Sequence, residues 1–466
     1  MKRYELVVLG GGAAAFSAAI HANRLGVKTL MINSGDIGGT CVNVGCIPSK
    51  HILTVADALN TMINPRFDAI EHDGSVSIDF GKLMDGKDDL VLSLREKKYS
   101  RVLEQLEDVD YMKGRGHFIS PTEVKFNGQI IKGEKFIIAT GSSASVPPVD
   151  GIEDVDYITN IEALSMERKP DSMMVIGGRA LGLEFAQMYQ HLGTEVSLLQ
   201  RSPRILPEHE PEISLQLESY LREEGMKVHT GLQIASVRRK GSTKVVQART
   251  KGGQMEFEGE SLLLATGRTP NTRDLNLQTA GVRLESGAVK TDPEMRTSNP
   301  HIFAAGDVVG KPMLETVAAK EGYIAAENAI KGTGMRMDYL SVPRAVFTNP
   351  AVASVGLTDA QAQKEGVECT CRTILMGQVP KALTTGDTRG LFKVVADLKS
   401  HRIVGVHILA SLAADMIHEG VLAVRFGLTL EDIIDTVHIF PTLSEGFKLT
   451  AQSFFEDIEK LSCCTI

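Results

Sequence analysis

Two cysteine pairs set the chemistry open to this chain. The string GGTCVNVGCIPSK holds Cys41 and Cys46 beside Gly38, Gly39 and Gly45, and KLSCCTI at the end of the 466 residues holds Cys463 next to Cys464. Five residues of regular helix rise about 7.5 Å, beyond the usual Cα separation in a disulfide. For Cys41 and Cys46 to act as a reversible dithiol, the helix start must be distorted, which the glycines allow. A thiol at a helix N-terminus also has its thiolate favoured by the dipole. The tail pair differs, because adjacent Cα atoms lie about 3.8 Å apart, too close for ordinary disulfide geometry. Two thiols that stay open on a loose arm make a chelate for a soft, thiophilic metal ion. The remaining two, Cys369 and Cys371 in GVECTCRTI, share one face of an expected strand, have no further ligand nearby and read as structural.

The elements that must position these thiols repeat. YELVVLGGGAAAFSAAIHANRLGVKTLMIN reads as strand, glycine turn, helix, strand, with Gly10, Gly12 and Ala15 in a G-x-G-x-x-A pattern. Such a turn lets backbone approach a pyrophosphate at a helix start, and the third small residue lets helix pack on strand. The acidic residue expected at the end of the second strand is replaced by Asn33, which can still accept a hydrogen bond. A second copy starts at MMVIGGRALGLEF, where Gly177 and Gly182 match but Arg179 takes the middle position. Its second strand ends at Gln200, followed by Arg201 and Arg204, which suit the 2′-phosphate of NADPH if they are more than solvated charges.

Each copy has a downstream partner, Ala139-Thr140-Gly141 and Ala265-Thr266-Gly267. The separation is 129 residues from Gly10 to Ala139 but 88 from Gly177 to Ala265, and the extra length in the first unit contains Cys41 and Cys46. Two dinucleotide sites in one chain imply two dinucleotides and electron transfer between them. Asp307, after the apolar strand in HIFAAGDVVG, suits a ribityl hydroxyl of FAD. The expected fold is α/β: a FAD-binding segment over 1–150, an NADPH-binding domain over 151–275, a second FAD segment over 276–340 and an α+β dimerisation domain over 341–466.

Composition narrows the class. A net charge of −8, with 43% apolar and 23% charged residues, gives no reason to expect nucleic-acid binding or global disorder. No apolar run approaches a membrane span, and the N-terminus runs straight into a strand rather than a signal peptide. A cytoplasmic protein is expected, with cysteines that serve catalysis or metal binding rather than a secreted disulfide framework.

GGTCVNVGCIPSK, FAAGDV, both ATG strings and PRAVFT…VASVG together resemble the FAD-dependent disulfide oxidoreductase family over nearly the whole chain. The resemblance implies a homodimer with active sites at the subunit interface, and FAD and NADPH as cofactors. It further implies FAD contacts from Gly39, Thr40, Lys50, Gly116, Thr140, Gly141, Asp307 and Val317, and NADPH contacts from Gly177, Gly182, Glu184, Arg201, Arg204 and Gly267. Lys50 and Glu184 are expected to pair near the flavin, with Cys46 the inner thiol and Cys41 the outer, exchanging one.

Family members that exchange thiols with organic disulfides carry a His before Pro-Thr in the last domain. Here HIFPTLSEGFKL puts Phe440 there, with His438 two residues earlier and Glu445 left without its usual partner. A phenyl ring cannot shuttle a proton. With the tail cysteines, this resembles the mercuric reductase branch, in which Cys463 and Cys464 of one subunit would pass Hg(II) to Cys41 and Cys46 of the other. Many members of that branch have Tyr at the positions of Phe440 and, in some, Ala180, and many carry an additional N-terminal metal-binding domain. The competing expectations are a dihydrolipoamide dehydrogenase-like thiol oxidoreductase and a scaffold that sequesters soft metals without turnover.

Overall fold

The structure, a computed structural model, describes residues 2–71, 76–310 and 312–460. Strand β1 (Lys2–Leu9) becomes fully buried from Leu6 onward and pairs in parallel with β2 (Thr29–Asn33) on one side and Gln129–Ile138 on the other. Between β1 and β2 runs helix α1 (Ala13–Arg24), whose alanine-rich face lies against helix Glu315–Lys331. Contact there is so close that a Cβ on Gly322 would stand 2.1 Å from the Ala14 carbonyl oxygen. The strand Ile302–Ala304 pairs with Phe136–Ile138, so the chain leaves this sheet and returns to it about 160 residues later.

The excursion is the second nucleotide unit. Strands Lys227–His229, Glu195–Leu199, Ser172–Ile176 and Ser261–Leu264 lie side by side in that order, all parallel. A three-stranded antiparallel meander, Gln233–Lys240, Thr243–Thr250 and Gly253–Gly259, covers the unit. The C-terminal unit is a five-stranded antiparallel sheet in the order Arg344–Val346, Ala351–Gly356, Ile403–Ala410, Leu391–Asp397, Cys369–Leu375, with the cysteine-bearing strand at its edge.

The repeat read from the sequence has a steric basis. Gly10 has φ +143°, and a Cβ there would meet the Ala139 carbonyl oxygen at 2.1 Å; Gly177 has φ +118°, and its Cβ would meet that of Ala265 at 2.3 Å. Each first glycine is thus required by the alanine of its own ATG string. Ala15 is fully buried and Gly182 packs against Gly177, so the third small residue serves helix-on-strand packing in both copies.

Candidate active site

The two thiols lie on either side of a helix break. α2 (Gly39–Val44) ends at Gly45, and α3 (Cys46–Ile63) begins at once with Cys46 as its first residue. A Cβ on Gly45 would sit 2.9 Å from the Thr40 carbonyl oxygen and 3.1 Å from the Cys41 Cα, so only glycine lets the two turns close up. Gly38 and Gly39 are left-handed, at φ +93° and +67°, and Gly39 passes within 2.6 Å of Gly12 by the same Cβ measure. This wedges the thiol segment against the first fingerprint.

The break brings the sulfurs within hydrogen-bond reach of one another. The Cys46 thiol lies below its ordinary value because Cys41 donates to it and because Lys50 carries positive charge nearby, which together outweigh burial. The Cys41 thiol is pushed up, first by that bond to Cys46 and then by burial and the charges of Cys46 and Glu315. The pair is therefore asymmetric, with Cys46 the thiolate and Cys41 the protonated member. Glu315, the first residue of its helix, hydrogen-bonds to Cys41, and burial raises its own carboxyl. The sequence reading missed Glu315, because a lone acidic residue far along the chain carries no motif.

One turn beyond Cys46, Lys50 Nζ lies 2.6 Å from Glu184 Oε2 and 4.6 Å from the Phe347 ring centre. The other Glu184 oxygen accepts from the Phe347 backbone N–H at 3.0 Å. Seven residues further along both helices, Asp57 Oδ1 lies 3.0 Å from His191 Nδ1. Helix Ala180–His191 therefore runs parallel to α3, fixed to it at two points with one constant offset.

A cavity of about 870 Å³ opens beside the thiols. Its walls include Gly10, Gly12, Asn33, Gly39, Thr40 and Gly116. Thr140 and Gly141 close one side together with Arg268 and Asn271. No side chain caps the N-terminus of α1, whose free N–H groups can receive a phosphate. Size, glycine lining and helix end all fit FAD. Asn33 is nearly buried and uses its amide on the Gly35 carbonyl at 2.9 Å, while its oxygen accepts from Gly35 N–H at 3.3 Å. Asp307 lies behind the wall, where Ser142 Oγ donates to it at 2.5 Å and Arg268 stands 3.7 Å away. The fully buried Glu321 accepts from Gly306 N–H at 2.7 Å and so fixes the turn that carries Asp307. Val317 is 2% exposed and does not line the cavity.

At the second fingerprint, Gln200 accepts from Gly178 N–H at 2.9 Å, occupying the position where an acidic residue would meet a ribose. The two arginines behind it differ. Arg201 is exposed, whereas Arg204 turns inward and donates to the carbonyls of Pro207 at 2.9 Å and His209 at 3.3 Å. Arg204 holds its own loop, and the exposed cations there are Arg201 and Arg179, the latter 3.7 Å from Glu208. Gly267 is left-handed at φ +113°, and its carbonyl accepts from Ser145 N–H at 2.9 Å.

In the C-terminal unit Phe440 is 48% exposed and follows Ile439 at 78% and Val437 at 88%. His438 is not free: Nε2 bonds Glu419 at 2.8 Å, Nδ1 bonds the Thr436 carbonyl at 2.9 Å, and the Glu419 bond raises its pKa. Glu445 accepts from Thr442 N–H at 3.2 Å and serves its local turn. Cys463 and Cys464 lie outside the described residues.

Residues 4–322 match the family described as pyridine nucleotide-disulphide oxidoreductase, and residues 342–451 match the dimerisation domain of the same family. The chain belongs to the pyridine nucleotide-disulphide oxidoreductases, flavoproteins that work with FAD and NADPH. Within that family it is 40% identical to a mercuric reductase of Lysinibacillus sphaericus over 99% of this chain and 84% of the relative. It is 39% identical to a mercuric reductase of Streptomyces lividans over 99% and 98% of the two chains. A dihydrolipoyl dehydrogenase of Thermus scotoductus is 36% identical over 97% and 98%. Among solved structures, the Cu(II) complex of the HOCl-induced flavoprotein disulfide reductase RclA from Escherichia coli superposes with a TM-score of 0.86 and 26% identity, over 98% of this chain and all of the other.

Proposed function

We propose that this enzyme uses NADPH to reduce Hg(II) to elemental mercury at the Cys41–Cys46 pair. The observation that carries the reading is the asymmetric dithiol beside an FAD-sized cavity, combined with Phe440 where an exchange catalyst for organic disulfides would need a proton carrier. Similarity to mercuric reductases along the whole chain supports it. Bound FAD supplies the two-electron relay between nicotinamide and thiols.

The chain's own residues do the rest. Lys50, held by Glu184, keeps a positive charge beside Cys46 and favours its thiolate. Hg(II) arrives as a bis-thiolate complex; Cys41, the outer thiol, and Cys46 each displace one carrier thiolate, with the Cys41 proton leaving on a released carrier. Two electrons then reduce the ion to Hg(0) and release both cysteines as thiolates, and Cys41 takes up one proton from solvent before the next cycle. Ligand exchange of this kind needs no acid for an organic leaving group. Two protomers complete the site, with Cys463 and Cys464 of the partner subunit presenting the ion, and the exposed Val437, Ile439 and Phe440 suit burial in such an interface. Arg201 faces the 2′-phosphate of NADPH.

The test is anaerobic NADPH oxidation by FAD-loaded protein in excess small thiol, with and without HgCl2. Strict mercury dependence with release of mercury vapour is expected. The identity to a dihydrolipoyl dehydrogenase gives one alternative, and turnover with lipoamide but not with mercury would establish it and overturn the present reading. The double variant Cys463→Ala, Cys464→Ala should lose turnover of tightly liganded mercury while NADPH still reduces the flavin at the parental rate.

A further inference from the structure

Cys369 and Cys371 take no part in the chemistry above, yet their setting is not that of inert core thiols. They occupy the edge strand Cys369–Leu375, where residues two apart project to the same side. The opposite side of the strand carries Ile374, which is 2% exposed and belongs to the sheet's core. Both cysteines are only half-buried. Their face looks toward helix Asp359–Lys364 and toward Lys393, whose ammonium is paired with Glu210 and Glu212 of the NADPH-binding unit. The Cys369 thiol donates to Asp359 Oδ1 at 3.2 Å.

Neither thiol is suited to disulfide exchange. Burial and the bond to Asp359 push Cys369 up to about 11, and burial pushes Cys371 up as well. At two residues' spacing in a strand the Cα atoms stand about 6.6 Å apart, at the long edge of the disulfide range. Metals act differently, since a coordinating thiol is deprotonated outright. Among the described residues no three His, Cys, Asp or Glu are arranged to hold a metal ion. A Zn(II)-type tetrahedral centre is thereby excluded for this face. Two thiols side by side are a complete ligand set for a soft ion that takes two sulfurs in a line.

We propose that Cys369 and Cys371 form a second, two-coordinate soft-metal site on the edge strand of the C-terminal sheet, which takes Hg(II) from thiol carriers. The exchange balances without a redox partner. A carrier–S–Hg–S–carrier complex and two Cys–SH give Cys369–S–Hg–S–Cys371 and two carrier thiols, each cysteine proton passing to a released carrier. The Asp359 hydrogen bond breaks in the process. Bound here, the ion lies outside the FAD cavity and is held without being reduced.

The experiment uses FAD-loaded protein carrying Cys463→Ala and Cys464→Ala, with Cys41 and Cys46 closed as their disulfide. HgCl2 premixed with excess glutathione is added, the protein is desalted, and mercury per flavin is counted. One equivalent is expected, and Cys369→Ser or Cys371→Ser should each lower retention at least tenfold with flavin content unchanged. Iodoacetamide mapping of the unsubstituted strand should show both cysteines protected together by mercury and neither by Zn(II), a readout that stands even if the serine variants fold poorly. No retained mercury, equal retention by the serine variants, or equal protection by Zn(II) would each overturn the proposal. None of these outcomes depends on mercury turnover, so this site and the reductase reading fail separately.

Discussion

The two glycine fingerprints solve one steric problem and then diverge. Gly10 and Gly177 make room for the carbonyls of Ala139 and Ala265 at nearly the same distance. Beyond that point the first unit packs a further segment onto its turn, with Gly39 against Gly12 and the thiol segment wedged beside it. The second has the exposed Arg201 and Arg179, the latter 3.7 Å from Glu208, and its Gln200 turned onto the glycine loop. Shared geometry thus belongs to the glycine turn itself, while the differences lie in what each unit places beside it.

The comparison breaks most visibly at its shared feature. Gly10→Ala forces a Cβ into a carbonyl at a left-handed residue, and purified protein should contain about tenfold less flavin or worse. Gly177→Ala meets an equal clash, but here flavin content should hold while reduction by NADPH collapses. Equal flavin loss in both variants would mean that the units do not bind independently. Next in size, Glu184→Gln removes the anion that holds Lys50, which is about one-third exposed; flavin reduction by NADPH should slow roughly tenfold, below the full cost of breaking a buried pair.

The arginines sharpen the contrast further. Arg201→Ala should raise KM for NADPH about tenfold with little effect on NADH, as expected for one charge-assisted bond to a phosphate. Arg204→Ala should instead lower Tm and leave the NADPH-to-NADH preference alone, because its guanidinium serves loop carbonyls. Steady-state kinetics with both nucleotides separates the two. The pH dependence of stability tests the far end of the same helix pair. Burial lowers the His191 pKa, but hydrogen bonds to Asp57 and Glu224 and their charges raise it to about 9 overall. A raised folded-state pKa means stability that is fully present below the unfolded value near 6.5 and lost as pH climbs through about 9, of order 3 kcal/mol. Urea unfolding of the parent should show that decline, and His191→Gln should flatten it.

Much of the site was legible because its residues sit in contiguous strings. The first fingerprint, the ATG partners and the cysteine string each announce themselves by spacing, and the need for a distorted helix start followed from the Cα distances alone. The helix does break, at Gly45. Pairing of Lys50 with Glu184 came from resemblance, since 134 residues separate them. What stayed hidden lies in side-chain direction. Nothing in RSPRILP distinguishes an arginine that faces solvent from one that turns onto Pro207, and nothing local announces that Glu315 ends against Cys41. Nothing near His438 in the sequence announces that Glu419, on helix Ala413–Phe426, holds its ring. Val317 fits a family pattern but is buried away from the cavity lining.

The two tie points between α3 and helix Ala180–His191 have a mechanical consequence. Seven residues of helix span about 10.5 Å, so the pins at Lys50–Glu184 and Asp57–His191 define a line along the helices. Between the pins Leu53 and Ala56 of α3 share one buried cluster with Leu183 and Ala186 of the facing helix. The two helices are therefore joined along their length, and the Glu184 end stays level with Cys46. Alkaline titration of His191 would loosen the far pin and leave the packed face and the Lys50–Glu184 pair to hold the register.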